Sequence, residues 1–309
     1  MRVTIVGDAL LDVDLDGRAD RMMPDAPVPV VDVEEREERA GGAGLAATLL
    51  ARDGHDVELV APFADDDAGR RLRDRLDGVR IVAAESATPT SVKTRIRARG
   101  HTIARVDEGG QGGVPKVGRG VLAAIAGADL LVVADYGRGM TGHPLVRAAL
   151  ERRGAEVPLV WDPHPRGADP VRSTAVATPN LAEASRAAGI SGAGVPAAAD
   201  AARALLGSWG CAAVVVTLGA DGALLHESAG RSRIVPAAEL GPIDPCGAGD
   251  RFATSLAVAL GTGRAPLSAV RQAVDAASAF LAAGGVAGIR EPAGTVQLAS
   301  KSLEGREIA

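Results

Sequence analysis

The run RVTIVGD at residues 2–8 is followed by GLAATLLARDG at 44–54 and DVELVAPF at 56–63. The first and third runs are short, apolar and β-branched, as strands covered on both faces are; the second spaces its apolar residues as a helix does. The exchange continues through DDAGRRLRDRL (66–76), VRIVAA (79–84), GVLAAIAGA (120–128), DLLVVAD (129–135), PLVRAALERRG (144–154) and PLVWD (158–162). LAEASRAAGI (181–190), AAADAARALLGSWG (197–210) and AAVVVTLG (212–219) extend it, and helices are expected over about 248–261 and 266–283. Apolar strands alternating with helices build a mostly parallel sheet with helices on both faces, so the fold class is α/β, doubly wound.

Two stretches break the rhythm. Residues 9–36 and about 86–108 alternate with period two and carry prolines and charges, as strands with one wet face do. They are expected to form a small β-sheet lid on a single domain spanning 1–309. GISGAGVPAAAD at 189–200 reads as a surface loop.

With 309 residues, 47% of them hydrophobic, the chain can bury a full core without a metal or disulfide. A net charge of -5 gives no broad basic surface for nucleic acid or membrane, and 2% aromatics leave few platforms for stacking single-stranded bases. Cys211 and Cys246 lack C-x-x-C or Cys/His spacing, which argues for a reducing compartment and against a zinc site. The first apolar run is broken by Asp8 and is too short for a signal segment or membrane span. The expectation is a cytoplasmic protein with no nucleic-acid or membrane partner.

The chemistry concentrates in Asp244-Pro-Cys-Gly-Ala-Gly-Asp-Arg-Phe252. Gly247, Ala248 and Gly249 open a helix, where N–H groups without intrahelical partners and the positive end of the dipole favour phosphate oxygens. Asp250 stands one residue later. N–H groups that stabilise a transferred phosphoryl group, beside a carboxylate that accepts a hydroxyl proton, are what phosphoryl transfer to an alcohol needs. Taken alone, G-A-G-D fits a plain glycine-rich helix cap equally well.

GAGDRF resembles the G-A-G-D-x-F signature of the ribokinase (phosphofructokinase B type) sugar kinases, and the Gly41-Gly42 pair resembles that family's first signature. VGDALLD (6–12), ADRMMPDAPVPVVDV (19–33), VADYGRG (133–139), WDP (161–163) and TPNLAE (178–183) resemble its D-glycero-β-D-manno-heptose 7-phosphate kinase branch. The likeness runs in order through residues 1–296. It implies a ribokinase-like fold and ATP-dependent phosphorylation of the C1 hydroxyl of heptose 7-phosphate, with MgATP across the carboxyl ends of the strands and the lid closing over the sugar. That branch is often fused to a nucleotidyltransferase; no H-x-G-H signature occurs within these residues, so the kinase alone is expected.

The resemblance also assigns roles. Asp250 becomes the proton acceptor, with Gly247, Ala248 and Gly249 as the anion hole. Asp12, Gly41 and Gly42 become sugar contacts. Asn180 and Glu183 match an N-x-x-E motif that organises Mg²⁺, largely through water at Glu183, and the phosphates; hard oxygen ligands suit that ion. Thr217, Gly219 and Gly222 resemble the nucleotide-binding stretch, and Asp275 stands where an Asn often lines the adenine pocket. Lys93, Arg95, Arg97 and Arg99 alternate onto one strand face. Of the basic residues, Lys93, Arg105 and Arg138 are nominated for the sugar or its phosphate. The lid's exposed strands suit a homodimer.

Three other patterns compete. Gly137-Arg-Gly-Met-Thr-Gly142 is a formal G-x-G-x-x-G with Asp162 further on, as in dinucleotide-binding enzymes, but it starts mid-chain. Asp12-Val-Asp-Leu-Asp-Gly17 imitates an EF-hand start but has Met23 at position twelve. No G-x-x-x-x-G-K-[ST] occurs. Against the family pattern, Leu45 replaces the Asn of G-G-x-x-N, Pro245-Cys246 replaces Thr-Thr, and DPHPRG replaces D-P-K-G. These departures keep two other readings open: a kinase of another sugar, sugar phosphate or nucleoside, and a catalytically silent binding subunit.

Overall fold

Val3, Thr4, Ile5 and Val6 are all buried, so the strand they form has protein against both faces. The computed structural model describes residues 1–110, 113–241 and 243–289. From the N-terminus the strands and helices are β1 (Arg2–Gly7), β2 (Ala9–Met22), β3 (Pro29–Gly42), α1 (Ala43–Arg52), β4 (Asp56–Phe63), α2 (Asp67–Asp74), β5 (Val79–Glu85), β6 (Val92–Ala98) and β7 (His101–Glu108). Then come α3 (Arg119–Ala126), β8 (Leu130–Ala134), α4 (Pro144–Gly154), β9 (Leu159–Asp162), β10 (Val176–Ala177), α5 (Leu181–Ala188) and α6 (Gly194–Trp209). The last are β11 (Ala213–Thr217), β12 (Ala223–Glu227), β13 (Ser232–Val235), α7 (Ala248–Gly261) and α8 (Pro266–Ala282).

The larger sheet has nine strands in the order β13-β12-β11-β10-β9-β8-β1-β4-β5. From β5 to β11 every neighbour is parallel; only β12 and β13 are antiparallel. On one face Ile5, Leu59 and Val132 pack with Leu50 of α1, Phe252 and Leu256 of α7 and Val270 of α8. On the other, Val6, Val60, Val133 and Trp161 meet Ile125 of α3 and Leu150 of α4, and Val214 and Val216 meet Ala184 of α5 and Leu205 of α6. Each such fully buried large side chain contributes about 1.5–3 kcal/mol by leaving water. Chain order runs outward from β1 in both directions, so the switch point lies between β1 and β8, where ligands of open α/β sheets bind outside the carboxyl ends.

The smaller sheet has the order β3-β2-β6-β7, with a parallel β2–β6 pair at its centre. Its first strand pair runs on to Gly42, beyond the limit of 36 expected from the pattern, because the alternation of exposed charge gives way to buried Ala40, Gly41 and Gly42 without breaking the ladder. Arg99 does not share the strand face of Lys93, Arg95 and Arg97. With Gly100 it makes the two-residue turn between β6 and β7, both at positive φ (50° and 78°), the conformation the twist of a tight hairpin favours. Its guanidinium pairs with Asp20.

Candidate active site

Asp8 and Tyr136 straddle the switch point, at the ends of β1 and β8. The Asp8 carboxylate accepts hydrogen bonds from the backbone N–H groups of Tyr136 (3.2 Å), Arg138 (2.8 Å) and Met140 (3.2 Å). Burial raises its pKa to about 6, against the lowering effect of those bonds. Asp135 accepts from the N–H of Gly137 (2.7 Å), the Thr141 hydroxyl (2.6 Å) and the N–H of Ala168 (3.0 Å). The G-x-G-x-x-G loop at 137–142 therefore spends its N–H groups on two internal carboxylates. A pyrophosphate would find acids there in place of a helix dipole, so the dinucleotide-binding alternative fails on geometry.

Asp250 lies in the first turn of α7, buried, and its Oδ1 accepts a hydrogen bond of 2.8 Å from the Tyr136 hydroxyl. Burial raises its pKa to about 7; the Tyr136 bond and the Lys93 charge pull it down and Asp12 pushes it up. Gly247 caps the helix at φ 80°, and a Cβ there would come 2.8 Å from Val286 and 3.2 Å from Leu45. A Cβ on Gly249 would meet no protein atom within 4 Å. The first glycine is demanded by backbone and packing; the second keeps a surface clear. The Ala248 N–H donates to the Pro245 carbonyl (3.1 Å).

Asp12 is buried on β2 facing Arg95 (3.5 Å), and burial raises its carboxyl against the Arg95, Arg39 and Lys93 charges. Gly41 is there because any Cβ would occupy the Asp12 carboxylate position, and Gly42, at φ 60°, because a Cβ would strike the Asp8 carbonyl at 2.5 Å. Lys93 is half-buried, its ammonium 5.0 Å from the centre of the Tyr136 ring; burial lowers its pKa, and the nearby acids raise it.

Asn180 and Glu183 form a capping box on α5: the Asn180 Oδ1 accepts the Glu183 N–H (3.0 Å) and the Glu183 Oε2 accepts the Asn180 N–H (2.9 Å). Beside them Asp162 ends β9, its Oδ1 bonded to the Thr178 hydroxyl (2.9 Å). Burial, then the charges of Asp250 and Glu183, hold the Asp162 carboxyl well above its ordinary range. The carboxyl groups of Asp162, Asp250 and Glu183 thus lie within electrostatic reach of one another, a set of oxygen donors that fits a divalent cation carried with phosphate oxygens. Among the described residues no three acidic, His or Cys side chains form a closed cage for one. Thr217 pairs with Asn180 across the end of the sheet. Gly219, at φ 63°, faces open space, whereas Gly222 is required by the Val235 and Pro236 backbone against it. Asp275 is exposed on α8.

Arg138 is half-buried with its guanidinium on the carbonyls of Gly109 (3.1 Å) and Gly110 (2.6 Å), tying the end of β7 to the β8 loop. Arg105 is exposed, pairs with Asp107 (2.9 Å), and lines a cleft of about 600 Å³ with Arg95, Arg97, Thr102, Ile243 and Asp244. Within it Arg97 reaches Asp244 (2.7 Å) and Arg95 the Cys246 sulfur (3.5 Å), so β6 is fastened to the loop that leads into α7. Sequence reasoning missed Asp8, Tyr136 and Asp162 as site residues, though each stands in a quoted run, VGDALLD, VADYGRG and WDP. Their signal was position at a strand's carboxyl end.

A doubly wound sheet with a capped glycine turn and buried acids at its carboxyl edge has the architecture of the sugar kinases. The model of the pfkB family of carbohydrate kinases matches residues 2–292, and the chain belongs to that family, as an ATP-dependent sugar kinase. The bifunctional protein HldE of Streptomyces coelicolor is 44% identical over 297 residues, covering 95% of this chain and 62% of the relative. That of Caulobacter sp. strain K31 is 37% identical over 292 residues, covering 91% and 59%. The chain thus spans about three fifths of the length of these curated relatives. Among solved structures, Arabidopsis thaliana ribokinase complexed with ribose and ATP superposes with a TM-score of 0.72 at 21% identity, covering 93% of this chain and 94% of that one. Escherichia coli phosphofructokinase-2 in complex with fructose-6-phosphate gives 0.70 at 18%, covering 92% and 94%. Among the described residues no helix is long and apolar enough to cross a membrane.

Proposed function

We propose that this kinase transfers the γ-phosphoryl group of ATP to the C1 hydroxyl of D-glycero-D-manno-heptose 7-phosphate, giving the 1,7-bisphosphate, with Asp250 as the proton acceptor. The observation that carries the reading is Asp250 itself: a buried carboxylate with a pKa near 7, in the first turn of a helix whose second glycine faces open space. A base poised near the working pH is the one that accepts a hydroxyl proton efficiently. As the sugar oxygen bonds to phosphorus and the bond to the ADP oxygen breaks, the hydroxyl proton passes to Asp250 and the electron pair leaves with ADP. N–H groups of Gly247, Gly249 and Asp250 stabilise the charge on the transferred group; the Ala248 N–H, already bonded to the Pro245 carbonyl, takes no part.

Asp12, with Gly41 and Gly42, accepts sugar hydroxyls. Lys93, Arg105 and Arg138 supply the cations for the sugar end, and the small sheet closes over it as a lid that excludes water. Thr217 and Gly219, with Gly222 and Asp275, border the nucleotide. Glu183, through water, would hold Mg²⁺, with Asn180 at the phosphates, and the ion would supply neutralisation of phosphate charge. The outer strand β7 is exposed along its length, and pairing of such edges between two copies would give a homodimer. The heptose assignment is supported by the resemblance through residues 1–296 and by the HldE relatives. An ATP-consumption assay over heptose 7-phosphate, fructose phosphates and ribose tests it: heptose 7-phosphate is expected to give the highest kcat/KM, and a better result with another sugar, or none with any, overturns it.

A further inference from the structure

The chain contains one tyrosine, and its hydroxyl bonds the Asp250 carboxylate. Three features hold Tyr136 in place. Its backbone N–H is bonded to the Asp8 carboxylate (3.2 Å), which anchors the main chain just after β8. Its ring packs over Gly42, where a Cβ would come 3.2 Å from the ring edge. The Lys93 ammonium sits 5.0 Å from the ring centre on the β6 side, and the His164 ring lies 6.3 Å away at 24°. A buried phenol needs a hydrogen-bond partner, and the one this seat provides is Asp250 Oδ1 at 2.8 Å.

We propose that Tyr136 is a positioning residue of the transfer site: by donating to Oδ1 of Asp250 it fixes the carboxylate plane and leaves Oδ2 as the oxygen that takes the sugar hydroxyl proton. The inference rests on Asp250 being the base. It also accounts for how a charge survives in so dry a place. Burial and Asp12, on β2, favour the protonated acid; Tyr136 after β8 and Lys93 on β6 favour the carboxylate. Asp162, on β9, also faces Asp250, and its own carboxyl is held well above the ordinary range by burial and then by the Asp250 charge. Tyr136 keeps its own proton throughout, since burial and then the charges of Asp250, Asp162 and Asp12 hold the phenol well above its ordinary value near 10. His164 carries no charge near neutral pH, because burial and then Arg166 and Lys93 lower it to about 4.

Two measurements on the full chain test the proposal. In Tyr136→Phe, kcat is expected to fall about tenfold with the KM for ATP unchanged, and the acid limb of log kcat/KM to move up by about one pH unit, the scale of one hydrogen bond to a charged group. A merely structural role would lower the melting temperature and leave that limb where it is, which overturns the proposal. The second measurement needs no variant: with ¹³Cζ-tyrosine the single resonance is expected to inflect near pH 7 in the wild type and to lose that inflection in Asp250→Asn. A flat titration in the wild type also overturns it. Near-normal turnover by Asp250→Asn would instead sink the base itself, a result separable from either failure of Tyr136.

Discussion

Leu45 and Cys246 pack into one apolar cluster with Leu49, Phe280, Val286 and Ile289. These two positions, 201 apart in sequence, are where the chain departs from the family's Asn and Thr. They meet behind Gly247, whose turn rests on Leu45, Phe280 and Val286. Leu45 is buried, 4% exposed, so it forms the wall behind the glycine turn. In this chain both positions carry apolar packing beside the glycine turn. Restoring the pattern one residue at a time should therefore do harm. Leu45→Asn buries an amide among apolar groups and is expected to cost about 2–4 kcal/mol by denaturant unfolding. Together with Cys246→Thr the loss should fall short of the sum by about 0.5–3 kcal/mol, as for contacting residues; strict additivity would show that the two positions are independent.

Asp250 sets an opposition between stability and activity. Its pKa is raised from 3.8 to about 7, so between those values the native protein holds a proton the unfolded chain has lost, and its contribution to stability is lost as pH rises through that window. Asp8, raised to about 6, acts in the same direction, so the comparison with Asp250→Asn isolates Asp250. At pH 8 the variant is expected to be more stable than the wild type by up to roughly 4 kcal/mol, from the size of the shift, and at pH 4 by little. Its kcat should be lower by about 10²–10⁴ with ATP binding retained. Thermal melts at the two pH values, read beside turnover, check both halves.

The two glycines of the turn should respond differently to alanine. At Gly247 a Cβ meets Val286 at 2.8 Å on a backbone with φ 80°, so Gly247→Ala is expected to lose about 1–3 kcal/mol of stability. At Gly249 the space is open and the backbone helical. Gly249→Ala should melt at or above the wild-type temperature yet lose at least about tenfold in kcat/KM for ATP, since in the proposed site the phosphate takes that volume. Unchanged kinetics in Gly249→Ala would remove Gly249 from the anion hole.

Asn180 and Glu183 carry a cap and a charge that can be separated. Asn180→Ala removes the cap and is expected to cost about 0.5–2 kcal/mol. Glu183→Gln keeps an oxygen for the Asn180 N–H but removes the negative charge facing Asp162; stability should hold while the Mg²⁺ concentration for half-maximal rate rises about tenfold, the order seen when a group orienting a metal is lost. A Mg²⁺ titration of the rate distinguishes this from a purely structural role.

Much of the candidate site's local geometry was legible because its residues stand in short runs whose local physics is autonomous. A glycine turn opening a helix, an N-x-x-E cap and a Gly pair at a strand end each act within a few residues of chain, so Asp250, Asn180, Glu183, Gly41 and Gly42 could be nominated for the candidate site from spacing and resemblance. The small sheet was legible in its period but not at its edge, since the ladder persists to Gly42 after the charged alternation stops.

By itself, then, the sequence determined the alternation of strands and helices and the glycine turn that opens α7, because burial on both faces and a helix start are written in neighbouring residues. Only the tertiary structure decided what surrounds that turn. Tyr136 comes to Asp250 from 114 residues away, Leu45 comes to Cys246, and the loop at 137–142 turns its N–H groups inward to Asp8 and Asp135. The order of strands in a parallel sheet juxtaposes carboxyl ends that are remote in the chain, and no local pattern records which ends will meet.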